Sequence, residues 1–115
     1  MSYGFASIHP ENFPDDRLDQ QWWFALIATL PELRRIDSLE VVIPFLGGKV
    51  RVRVDGAELI RDGSRVGLFV WQNGKICVDG PYSMFPMAQR IAQALGARVF
   101  DDDSGEELLE VPDDE

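Results

Sequence analysis

Only one cysteine and one histidine occur among the 115 residues of this chain. A single Cys77 excludes an intramolecular disulfide and a cysteine-based zinc site, and it points weakly to a reducing compartment. His9 stands just before Pro10 with no patterned serine or cysteine beside it. A histidine working as a general base needs an aligned nucleophile and an orienting acid, and the local sequence supplies neither. No apolar run approaches the length of a membrane span. The N-terminus lacks the basic start and apolar stretch of a signal peptide, so the cytoplasm is the expected location. The glycines do not form a phosphate cradle. Gly47-Gly48 joins two expected strands, and the stretch from Gly63 to Gly67 lacks the Lys-Ser/Thr ending of a P-loop.

Basic side chains are missing altogether from one end. Residues 101–115 hold nine acids and no Lys or Arg, which leaves eleven acids against eleven bases in residues 1–100. The body is thus formally neutral, and the C-terminal segment equals the whole net charge of −9. Such a distribution repels nucleic acid and membrane phosphates and favours a basic protein partner. As a cation site the segment fails. A calcium loop starting at Asp101 needs glycine where Glu106 stands and glutamate where Pro112 stands. No metal or cofactor is expected. A solvated terminus has little use for the apolar Leu108, Leu109 and Val111, which are interleaved with the acids and suggest an edge strand or a docked tail.

What the chain does have is enough apolar material for one core. The length fits a single domain, and a 45% apolar fraction argues against disorder. We expect residues 1–100 to form one α+β domain and residues 101–115 an acidic segment, partly docked or frayed. Tyr3 to Ile8 alternates as a first strand ending at His9-Pro10. A helix capped by Asp15 or Asp16 follows, with Leu18, Trp22, Leu26 and Leu33 along its apolar stripe and Trp23, Ile27 and Leu30 widening it. Pro31 ends it, and Glu32 to Ile36 is expected as a separate turn. Leu39–Phe45 and Lys49–Val54 read as strands around Gly47-Gly48, the second with Val50, Val52 and Val54 on one face and Lys49, Arg51 and Arg53 on the other. Arg65–Gln72 and Lys75–Val78 flank Asn73-Gly74, a strong hairpin signal. Met84–Leu95 is a second helix with Pro86 in its first turn and Gly96 closing it, before a strand at Ala97–Phe100. The order β-α-ββββ-α-β predicts a mostly antiparallel sheet of five to six strands with two helices on one face.

Consecutive Trp22, Trp23 and Phe24 cannot all face one core, because helix neighbours differ by about 100°. Phe24 falls outside the stripe and is expected at its edge or exposed, as a candidate anchor for a partner. Cys77 reads as a small apolar residue. Lys49, Arg51 and Arg53, with Arg34, Arg35, Arg61 and Arg65, are interspersed with acids, so pairing with the acidic end or with neighbouring strands is expected over binding of single-stranded nucleic acid.

The helix–glycine–strand–acid run from Met87 through Gly96 to Asp102, in a small acidic chain, resembles bacterial immunity proteins, cytoplasmic inhibitors of toxins used between competing bacteria. The resemblance implies a non-enzymatic protein that binds one cognate toxin, often over its active site. It carries over no residue roles. The residues expected to meet a basic partner are Asp101, Asp102, Asp103, Glu106, Glu107, Glu110 and Phe24. A nucleic-acid mimic that blocks a nuclease is the alternative, and a small-ligand module or an enzyme built on Tyr82, His9 and scattered acids has less support.

Overall fold

A computed structural model describes residues 3–109. Six strands and two helices follow the expected order: β1 (Tyr3–His9), α1 (Gln20–Thr29), β2 (Leu33–Ile43), β3 (Gly48–Arg61), β4 (Ser64–Gln72), β5 (Lys75–Pro81), α2 (Phe85–Leu95) and β6 (Arg98–Asp101). The strands form one sheet in the order β2-β3-β4-β5-β1-β6, and every pairing is antiparallel. This is the α+β class that the sequence predicts.

Two turns are written in residue chemistry. Asn73-Gly74 and Asp62-Gly63 both take positive φ at both positions, the geometry of a type I′ hairpin turn that follows the strand twist. Gly96 closes α2 in the left-handed conformation, and its N–H reaches the carbonyls of Ala92 and Gln93.

One face of the sheet makes the core. Ile8, Ile76, Val99, Phe69, Ala57 and Leu59 meet Trp23 and Ile27 of α1 and Met87, Ala88, Ile91 and Ala92 of α2. Met84, in the 3₁₀ turn before α2, lies across Gly67 and Gly80. A Cβ on either glycine would come within about 2 Å of the Met84 sulfur, so both positions must stay bare.

The first helix departs from expectation. It starts at Gln20, with Asp19 as the cap accepting the Gln21 N–H at 2.8 Å, and not at Asp15 or Asp16. The preceding residues are drawn away from helix by the β4–β5 turn. The Leu18 N–H donates to the Gly74 carbonyl at 2.8 Å, and the Arg17 stem occupies the space a side chain at Gly74 would need. The shorter helix also changes which tryptophan is inside. Trp23 is fully buried, whereas Trp22 is 64% exposed; Leu26 and Leu30 are half-buried at the margin.

Residues 32–36 are likewise not a turn. Leu33 is buried opposite Leu59, and Arg34 pairs across the ladder with Glu58, so β2 begins at Leu33 and runs eleven residues. The cross-strand pairing supplies what the local sequence does not advertise.

β3 is longer still, at fourteen residues, and only its second half has β4 beside it, from Gly56 onward. The stretch from Asp37 to Val54 is therefore a two-stranded arm that extends past the sheet. A register shift lies where Ile36 pairs with Gly56 and Ser38 with Arg53, which places one extra residue in β3. Because side chains alternate, this bulge keeps Val50, Val52 and Val54 on the same side as Ala57 and Leu59, the side that faces the helices.

Truncating the two tryptophans separates their roles. Trp23→Ala is expected to cost about 3–5 kcal/mol of unfolding free energy, the range for a buried large aromatic. Trp22→Ala is expected to cost less than about 1 kcal/mol, as for surface substitutions. Denaturant unfolding of both variants measures the difference, and equal losses would contradict this packing.

Candidate functional site

The acidic end is built, at least as far as Leu109. β6 stops at Asp101, whose carboxylate accepts the Ser104 hydroxyl at 2.9 Å and the Asp103 N–H at 3.4 Å. Ser104 in turn accepts the Glu106 N–H at 3.2 Å, and Gly105 turns the chain in the left-handed region. Backbone bonds then return the chain along β6: the Asp101 N–H donates to Glu106, and the Leu108 N–H donates to Val99, each at 2.8 Å. The Gln89 side chain donates to the Leu108 carbonyl at 3.0 Å, and Leu108 packs against the core. Short polar side chains thus take up the backbone groups of a turn that would otherwise have to be held by water.

The acids within it differ in availability. The Ser7 hydroxyl, itself buried, donates to Asp102 at 2.6 Å. Glu107 binds the Arg98 guanidinium at 3.0 Å, which raises the Arg98 pKa further above its ordinary value, and Glu11 adds to the rise at 3.9 Å. Asp101 is committed to the turn. Asp103 and Glu106 are exposed and form no ion pair among the described residues, which makes them the acids best placed to meet another surface. Glu110, the last acid of the expected set, lies outside the described residues, as does Val111.

Phe24 is far from this turn. It sits half-buried beside β2, with the Arg35 guanidinium stacked 3.8 Å above its ring. β2 and β6 are the opposite edges of the sheet, five strand spacings or about 24 Å apart. The structure therefore does not bring Phe24 and the acidic turn into one patch. Phe24 thus lies at the edge of the packed face, one of its two expected positions, while the largely exposed aromatic is Trp22, which borders a shallow apolar groove of about 380 Å³ with Ala25, Leu26, Ala94 and Leu95.

The arginines pair with neighbouring strands more than with the acidic end. Glu58 is buried between Arg34 and Arg65, with the Arg34 Nε at 2.5 Å. Lys49 reaches Glu40 at 3.2 Å, and Arg51 lies 3.9 Å from the same carboxylate. Arg34, Glu40, Arg51, Glu58 and Arg65 line an open polar cleft of about 480 Å³ on the sheet face away from the helices.

The remaining chemistry-bearing side chains are occupied by local contacts. His9 is stacked on Phe100, with centroids 4.2 Å apart and planes at 3°, and lies near Phe13 on another side. Its Nδ1 is 2.8 Å from the Pro10 carbonyl, which fixes that nitrogen as the donor. The neighbouring Ser7 gives its proton to Asp102, and the Cys77 thiol faces the Gln72 side-chain oxygen at 3.2 Å. None of these contacts joins the imidazole to the hydroxyl or the thiol. Cys77 is half-buried, in contrast to a fully enclosed apolar thiol. Among the described residues, no three His, Cys, Asp or Glu side chains are grouped to hold a metal ion. No described helix is long and apolar enough to cross a membrane.

No protein-family model, curated protein or solved structure matches this chain. What it can do must come from its own surfaces.

Burial pushes the Cys77 pKa above its ordinary value of 9.0, and the Asp102 charge pushes the same way against Lys75. The thiolate, the reactive form, is therefore scarcer than in an unfolded chain at the same pH. Iodoacetamide labelling at pH 8 is expected to be slower in the native protein than in urea, and to accelerate as pH rises through the folded pKa. Linkage gives the sign for stability: the group's contribution is complete below the unfolded pKa and is lost as pH rises above it. Native labelling as fast as unfolded labelling at pH 8 would contradict this environment.

Proposed function

We propose that this protein acts by binding another protein, and that the acidic turn after β6 is the part that meets a basic surface on the partner. The observation that carries this reading is the architecture of the turn. A solubility tail needs no Asp101–Ser104–Glu106 bonding and no apolar anchor at Leu108, yet this segment has both. The effect is to hold Asp103 and Glu106 outward on a fixed loop at a sheet edge, which lowers the ordering cost of an encounter.

The narrower reading is an immunity-type inhibitor of a cognate toxin, in line with the resemblance noted above. It is supported by the small neutral body with its charge confined to one end, and by a histidine, serine and cysteine each engaged elsewhere. A nucleic-acid mimic would place acids along the body at phosphate-like spacing. Here the body is formally neutral, and that reading gains no support.

Complementary charge mainly speeds encounter, while a few desolvated contacts hold the complex. Co-expression with the product of the neighbouring open reading frame tests the reading: that product should arrest growth, and this protein should relieve the arrest. With the pair in hand, Asp103→Asn combined with Glu106→Gln is expected to slow association and to flatten its salt dependence, since screening acts over about 8–10 Å. Unchanged association and unchanged salt dependence would remove the acidic turn from the interface. His9→Ala is expected to leave growth protection intact; a hundredfold loss in a folded variant would point to catalysis instead.

A further inference from the structure

The two-stranded arm has one aliphatic side, and among the described residues no core side chain packs on it. By ladder register, Leu39 lies opposite Val52 and Val41 opposite Val50, with Ile43 toward the tip and Val54 toward the base. None of these six packs against the core; Val41 and Val52 are each about two-fifths exposed, and the other four are half-buried. Phe45, in the connecting turn, is 97% exposed. The other side of the same ribbon carries Ser38, Glu40, Val42, Lys49, Arg51 and Arg53 and is polar, apart from Val42. Among the described residues the arm has no third strand beyond Gly56, and a two-stranded ribbon is at best marginally stable in water unless its apolar side is covered.

We infer that the arm joins two copies of this chain, aliphatic side against aliphatic side, about a twofold axis. Three features select a second copy. Apart from Asp37 at its base, this side carries no charge and no hydrogen-bonding group, so it has little with which to discriminate a foreign partner; homodimer contacts are the class that resembles a core cut in half. A twofold axis lays the same face on itself, so hydrophobic matching is automatic. The described acids of the turn after β6, from Asp101 to Glu107, lie at the opposite sheet edge, about 24 Å from β2. Arm-to-arm contact therefore keeps the two acidic turns remote from the interface, and the arm itself, residues 37–54, has two acids against three bases.

The size of the face sets the strength. Seven residues per strand and two strands give a footprint of about 24 by 10 Å per copy. Phe45 adds about 150–250 Å² if it is buried. Over two copies this comes to about 900 Å², the low end for specific association, so the dimer should be reversible and micromolar rather than obligate.

Sedimentation velocity on the full chain across a concentration series tests this. The expected result is a monomer–dimer equilibrium with a Kd of about 1–100 µM. Val41→Glu and Val52→Glu should each weaken it about tenfold or more, while Val42→Glu, on the polar side of the same arm, should leave it unchanged. Phe45→Ser, at a nearly fully exposed position where folding is not at risk, should also weaken it. A sample that stays monomeric to about 200 µM would overturn the inference. So would a dimer that survives Val41→Glu, Val52→Glu and Phe45→Ser, or one that Val42→Glu disrupts as strongly. In either of those cases a different surface is in contact.

Discussion

β3 bears on nearly everything else in this molecule, because it alone has to serve two environments. Its second half is a central strand, hydrogen-bonded on both sides, with Ala57 and Leu59 in the core. Its first half leaves β4 behind and pairs only with β2. A strand without an interruption would turn Val50, Val52 and Val54 to the face opposite Ala57 and Leu59. The single extra residue between Val54 and Gly56 prevents this, so the arm's valines share the side that faces the helices, with Asp55, held by Gln20, and Arg35, stacked on Phe24, between them and the core. Gly56 suits the crossing. A Cβ there would stand 2.4 Å from the Phe69 carbonyl oxygen on the next strand.

Segregation follows from that arrangement. The aliphatic arm occupies one edge of the sheet and the acidic turn the other, with a neutral, helix-covered core between. The two surfaces use different physics. The aliphatic side of the arm presents area with little charge, which gives weak, short-range attraction. The turn presents charge on a fixed loop, which acts at longer range and is sensitive to salt. A protein built this way can occupy one surface without blocking the other, so self-association and partner binding need not compete.

The sequence revealed structure wherever a residue type has one strong local use. Asn73-Gly74 marks a hairpin because both positions need positive φ, and Pro86 with Gly96 brackets α2 because one lacks an N–H and the other tolerates the left-handed region. It failed where the deciding partner is distant. Asp15 and Asp16 are plausible caps, but the bond from Leu18 to Gly74 holds that stretch against another hairpin, so Asp19 takes the role. The error then spread. A stripe drawn from Leu18 to Leu33 includes two residues that are not on the helix, and its centre drifts to Trp22; on the ten residues that are helical, Trp23 and Ile27 face the core. The change from even to odd apolar positions between Val54 and Ala57 was a readable sign of the bulge, visible only if both runs are taken as one strand. At the acidic end the charge was plain in the composition. That Ser7 and Arg98 would claim Asp102 and Glu107, leaving Asp103 and Glu106 outward, depends on pairings across the sheet that no local pattern encodes.

The central claim is that the exposed arm is a contact surface whose order depends on being covered. Hydrogen exchange of the backbone amides, followed as protein concentration is raised from the low micromolar range to several hundred micromolar, tests it most directly. Amides of residues 38–43 and 48–54 should exchange more slowly as concentration rises, while those of the 101–108 turn and of α2 keep a constant rate. Exchange in the arm that does not change with concentration would show that nothing of this chain covers it, and would contradict the account.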